Sequence, residues 1–128
     1  MLPIVCSCSS NDVHNEPEPE YHLEYTFYSE KSYQLVYRTI MHNANLCSKQ
    51  KPVSRMVTDG EFYNEIKAGD ISFSVLSFTG KFTHLRVNIE NDNNRTKITV
   101  VNDFVTWDGL AHAIKNWVVD DSKLCDKS

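Results

Sequence analysis

Cys47 and Cys125 restrict the fold of this chain more than any other pair of residues. Cys47 continues the apolar stripe of a predicted helix, formed by Tyr33, Val36, Tyr37, Ile40 and Ala44, so its sulfur should face a core. Cys125 lies just past a second predicted helix, at the far end of the chain. If both helices lie on one face of a sheet, the end of the first and the tail after the second can meet. A bridge between them would close a loop of about 79 residues, for which loop entropy gives ~4.5 kcal/mol. The chain has 4 cysteines, which allow three pairings, so the connectivity stays open at this level.

The segment between the two helices supplies the sheet. Asp59-Gly60 reads as a tight turn between strands over 53–57 and 61–66. Strands over 71–78, 82–90 and 96–102 follow, joined by turns at Thr79-Gly80-Lys81 and Asn91-Asp92-Asn93-Asn94. In the strand over 82–90, Thr83, Leu85, Val87 and Ile89 form an apolar-leaning face with His84, Arg86 and Asn88 opposite. One wet face and one dry face mark an antiparallel sheet covered on a single side. Before the first helix, Tyr21–Tyr28 alternates as a further half-buried strand, and Ser29 is placed to cap the helix. Thr106 is placed to cap the second, whose stripe is Trp107, Leu110, Ala111, Ile114, Trp117 and Val118. The expected fold is α+β, a two-layer sandwich in which two helices cover one face of an antiparallel meander sheet. With 128 residues there is room for one such domain, over 21–128.

Residues 1–20 have a different character. Asp12, Glu16, Glu18 and Glu20, with no Lys or Arg among them, account for the whole formal net charge of −4, which leaves 21–128 balanced. A balanced domain without a Lys/Arg cluster has no phosphate track, so nucleic acid is not an expected partner. Glu16-Pro17-Glu18-Pro19-Glu20 follows a polar run and reads as an extended tether. Ahead of it, Leu2-Pro3-Ile4-Val5 resembles the tail of an apolar signal region, and Val5-Cys6-Ser7-Cys8 resembles a bacterial lipobox, with Cys6 atypical at its place. Cys8 is the expected lipidation site, although the seven preceding residues lack the basic start of a full signal peptide. No run reaches the roughly 18–20 apolar residues of a membrane span.

Ser32-Tyr33-Gln34-Leu35-Val36-Tyr37-Arg38-Thr39-Ile40, the cysteine at 47, the strand Thr96-Lys97-Ile98-Thr99-Val100, Trp107 and Cys125 together resemble a family of small, uncharacterised Gram-negative lipoproteins of helix–sheet–helix layout. The resemblance covers about 29–125, and its motifs are loose. It implies an N-terminal lipid on Cys8 and carries no activity. More distantly, the layout is similar to the helix-grip domains of outer-membrane assembly lipoproteins, an analogy of fold alone.

Chemistry-bearing constellations are sparse. His14, His22, His42, His84 and His112 do not fall at the HxxxH or HExxH spacings of zinc sites, and Cys6-x-Cys8 lacks a second ligand pair. Phosphate-binding glycine loops and nucleophile elbows are likewise absent from the sequence. No cofactor, metal or catalytic residue is expected. Asn94-Arg95-Thr96 is a glycosylation sequon in a turn where asparagine is favoured anyway. The uncovered sheet face carries His84, Arg86 and Asn88, beside Lys97 and Thr99 if those strands form a simple hairpin, and this is the expected interaction face. The resulting expectation is a non-enzymatic binding or scaffold protein of the cell envelope. It would be held in the periplasm by a lipid anchor, in the outer membrane in preference to the inner, with a protein partner there. An immunity-type inhibitor of a periplasmic toxin is the alternative, and a hydrolase or metalloenzyme a remote one.

Overall fold

A computed structural model describes residues 22–50 and 56–125. Cys6, Cys8, the lipobox and the tether therefore lie outside the described residues. The elements are β1 (Leu23–Ser29), α1 (Tyr33–Gln50), β2 (Met56–Tyr63), β3 (Ala68–Ser77), β4 (Gly80–Asp92), β5 (Arg95–Asn102) and α2 (Asp108–Val119). The five strands form one antiparallel sheet in the order β1-β5-β4-β3-β2. Strands β2 to β5 are a meander, and β1 adds itself to the β5 edge. α1 must therefore carry the chain from one edge of the sheet to the other. Its 18 residues span about 27 Å at 1.5 Å each, more than the roughly 19 Å across five strands. The fold is the expected two-layer α+β sandwich.

Side chains alternate across the sheet as the pleat requires. The inner face stacks Tyr25, Val100, Val87 and Ile71 in one row and Phe27, Ile98 and Ile89 in the next. Against these rows α1 sets Val36, Ile40, Ala44 and Cys47, and α2 sets Ala111, Ile114 and Val118, all buried in one core. Trp117 is fully buried, and its Nε1 donates to the Leu124 carbonyl at 2.6 Å, which satisfies the indole and folds the tail back over the helix. The Cys47 and Cys125 sulfurs are bonded, with Cα atoms 5.5 Å apart, so the expected bridge is present.

Four local expectations are corrected. Asp59-Gly60 is not a turn, because β2 runs through it from Met56 to Tyr63. Gly60 and Gly69 make room for Tyr37 of α1: a Cβ on Gly69 would lie 2.9 Å from Tyr37 Cδ2, and one on Gly60 would collide with the Tyr37 hydroxyl. Here the glycines admit a close helix and do not bend the chain. The β2–β3 connection is instead a 3-10 turn, Asn64–Ile66, closed by Lys67 in the left-handed region at φ 56°. Ser32, rather than Ser29, caps α1, its Oγ accepting the Leu35 N–H at 3.1 Å. Thr106 does not cap α2. Fully buried Asn102 organises that start, donating to the Phe104 carbonyl and the Asp108 carboxylate and accepting the Phe104 N–H. Finally, the β3–β4 register steps from Phe73–Leu85 to Ser74–Thr83, leaving His84 as a bulge residue. The extra residue moves Thr83 off the face of Leu85, Val87 and Ile89. By contrast, Asn93 and Asn94 at φ 51° and 69° form the expected β4–β5 turn, in the conformation asparagine tolerates best after glycine.

Candidate functional site

Neither described helix packs on the outer face of the sheet, and the same alternation that fills the core fills this face with polar groups. Three cross-strand rows define it. The first runs Glu24, Val101, Arg86, Ser72 and Asp59. The second runs Thr26, Thr99, Asn88, Asp70 and Glu61, and the third Tyr28, Lys97, Glu90, Ala68 and Tyr63. Arg86, Asn88, Lys97 and Thr99 are thus brought onto one surface as expected, with Asn88 directly opposite Thr99 and the two cations in the flanking rows. His84 departs from the group. As the bulge residue it is withdrawn to the end of the sheet, where its ring stacks on Phe104 at 4.5 Å and meets Trp107 edge-on at 5.9 Å.

The polar groups are connected. Asn88 Nδ2 donates to Asp70 at 2.8 Å, and Lys81 pairs with Asp59 at 2.9 Å. Asp103, just beyond β5, takes Arg86 at 3.5 Å and His22 Nδ1 at 2.9 Å, and the other nitrogen of His22 reaches Glu24 at 3.3 Å. The hydrogen bond to Asp103, then that to Glu24, raises the His22 pKa above its ordinary value. At the strand ends Arg95 lies over the Tyr28 ring at 3.9 Å. Exposed pairs of this kind contribute about 0–1 kcal/mol each, so stability alone gives little reason to gather them. Two shallow depressions of about 430 and 440 Å³ lie over this surface and share Glu61, Asp70 and Ser72. Beyond them, the β3–β4 hairpin ends in exposed Leu76, Phe78 and Phe82, with Phe78 wholly in solvent.

Such a surface can form hydrogen bonds and ion pairs with a partner. Among its hydroxyls, Thr26 pairs with Thr99 at 3.3 Å and Ser74 with Thr83 at 2.9 Å, while the Tyr63 hydroxyl donates to the Glu61 carboxylate. Among the described residues, no group of three or more His, Cys, Asp or Glu is placed to hold a metal ion. No described helix is long and apolar enough to cross a membrane.

Sequence reasoning missed Asp59, Glu61, Asp70 and Ser72, which form one side of the face, and Asp103, which ties His22 to Arg86. The alternation of Val57, Asp59 and Glu61 against Thr58, Gly60 and Phe62 was a signal for the first group. Reading Gly60 as a turn concealed it. The chain matches no family model and no curated protein. Among solved structures, that of Ara h 8.0201 is similar at 12% identity and a TM-score of 0.41, over 80% of this chain and 99% of that one. A likeness of that size carries neither family nor function to this chain.

Proposed function

We propose that the chain is a lipid-anchored protein of the cell envelope, acylated on Cys8, that binds another envelope protein through the uncovered face of its sheet and performs no chemistry. The observation that supports this reading best is the one-sided sheet. Both helices cover the inner face, while the outer face presents Arg86, Asn88, Asp70 and Glu61 in adjoining rows, and exposed apolar side chains stand at the tip of one hairpin. Placement in the periplasm, with the outer membrane preferred, is part of the proposal; the lipobox-like Val5-Cys6-Ser7-Cys8 supports the anchor, and the Cys47–Cys125 bridge suits an oxidising compartment.

The test has two arms. Intact mass of the protein from native membranes should give a chain starting at Cys8 with acyl mass added. A photo-crosslinking residue at Asn88 should trap one envelope protein that the same residue at Gln34, on α1, does not. An unacylated chain, or equal trapping from both positions, would count against the proposal.

A second reading draws support from the carboxylates of Asp59, Glu61 and Asp70, which lie together at the β2–β3 side of the face. An immunity-type inhibitor of a periplasmic toxin would use such a surface to cover a basic active-site cleft. In that case a single enzyme would be captured one-to-one, and Glu61→Lys with Asp70→Lys would release its inhibition.

A further inference from the structure

The strand register sets one end of the sheet apart. Leu23, Asn102, Leu85 and Phe73 lie side by side in one cross-strand row, where β1 begins and β5 ends. Strands β3 and β4 run on past this row to the turn that joins them. The four steps from Phe73 to Ser77, at about 3.4 Å each, put the hairpin tip about 14 Å beyond the row. His22 directly precedes β1, so the chain ahead of it leaves the domain at this same end.

The hairpin carries apolar side chains on both of its faces as well as at its turn. Val75 lies opposite Phe82, and Leu76 lies opposite Lys81. Directly opposed residues share a face and successive ones alternate, so Phe82 is on one face and Leu76 on the other. Leu76 and Phe82 are 44% and 48% exposed, and Phe78 stands wholly in solvent in the turn between them. Turns are ordinarily built from small and polar residues, which makes a phenylalanine there a feature in want of a partner. The chain is acidic as a whole, yet residues 71–89 contain neither Asp nor Glu. Val105, also exposed, stands at the same end just after β5.

The placement of these side chains decides between two kinds of partner. A protein surface would cover one face of such a hairpin and leave the other in water. The apolar boundary of a bilayer surrounds an inserted tip and takes up side chains from both faces. The thirteen residues 9–21 that separate Cys8 from His22 reach at most about 40 Å, at roughly 3.1 Å each. A lipid on Cys8 would therefore hold this end of the sheet within reach of the membrane, with the tip leading.

We infer that the β3–β4 tip is a membrane contact, inserting Phe78, flanked by Phe82 and Leu76, into the interface of a phospholipid bilayer. The orientation rests on the lipid-anchored reading given above. With the strands pointing at the bilayer, the polar face of the sheet stands to the side and stays open to a protein partner.

The test places p-benzoylphenylalanine in the full oxidised chain, either at Phe78 or at Phe62, which lies towards the opposite end of β2. A histidine tag ahead of Met1 holds the protein on phosphatidylcholine vesicles containing a nickel-chelating lipid. This substitute anchor makes the result independent of acylation at Cys8, which the intact mass of the native chain reads separately. After irradiation, a phosphatidylcholine adduct at position 78 should be at least tenfold more abundant than at position 62. Leu76→Ser with Phe82→Ser, both half exposed near the turn, should reduce the adduct at position 78 about tenfold. No adduct at position 78, equal adducts at both positions, or an adduct undiminished by the two serines would overturn the inference. In cell-envelope membranes the probe at position 78 should again take up lipid. A protein crosslink in its place would assign the tip to a protein partner and overturn the inference as well.

Discussion

His22 stands between two carboxylates, hydrogen-bonded to Asp103 and to Glu24, and both favour its protonated form. Its folded-state pKa therefore lies above the ordinary 6.5. The sign of the linkage follows. The stabilisation is fully present below the unfolded-state value and is lost as pH rises through the raised value. The group is exposed and screened, so the expected readout is its own titration, not a large change in unfolding. A proton NMR titration of the His22 ring should show a midpoint above 6.5, and Asp103→Asn should lower it more than Glu24→Gln does, because the Asp103 bond is the larger cause. A wild-type midpoint at or below 6.5 would show that the Asp103 contact does not persist in solution. The alternation over Tyr21–Tyr28 put His22 and Glu24 on one side of a strand. Asp103 lies 81 residues away, and only the β1–β5 pairing brings it within reach.

Strand β2 packs on helix α1 at the Tyr37 ring, beside the Tyr33–Phe62 stack and the Ser48–Met56 hydrogen bond. Tyr37 lies over Gly60 and Gly69 and packs on Phe62 with ring centroids 5.0 Å apart. Gly60→Ala would drive a methyl group into the Tyr37 hydroxyl and to 3.0 Å from Met41 Sδ. We expect a loss of about 1–3 kcal/mol in urea unfolding, the usual range for overpacking. Tyr37→Leu removes the obstructing ring, so the double variant should be less destabilised than the sum of the two single ones. Strict additivity would mean that the helix does not press on the strand at this point. The same contact explains what the sequence could and could not reveal. The stripes of α1 and α2 and the alternation of Leu85, Val87 and Ile89 are periodic, and periodicity is visible in one dimension. A glycine that admits a neighbouring ring looks the same as a glycine that turns the chain. The bulge at His84 left no mark either, since one extra residue in a strand does not change its composition. The candidate face inherited both difficulties: Arg86, Asn88, Lys97 and Thr99 were legible from two alternating strands, whereas Asp59, Glu61 and Asp70 depended on the misread one.

The tail after α2 is fastened to the rest of the molecule from several sides. Lys31, just before α1, donates to the Val118 carbonyl at the end of α2 and pairs with Asp121. Trp117 holds the Leu124 carbonyl, and Cys125 is bonded to Cys47 on the buried side of α1. The bridge spans a sequence separation of 78, which takes in β2 to β5 and α2, and as a covalent link it restricts the unfolded chain in a way the hydrogen bonds do not. Removing it with Cys47→Ala and Cys125→Ala should cost about 2–5 kcal/mol, a large share of the roughly 5–15 kcal/mol that holds a typical domain together. The Lys31 bonds join residues 87 and 90 apart, but they are non-covalent and do not constrain the unfolded chain, and the buried indole bond of Trp117 contributes about 0.5–1.5 kcal/mol net. Equilibrium unfolding in urea with and without reductant checks this. The wild-type midpoint should fall on reduction to that of the double alanine variant, and the variant should not respond to reductant. If reduction leaves the wild-type midpoint in place, the tail is held by Lys31 and Trp117 alone, and the bridge contributes nothing to the fold it closes.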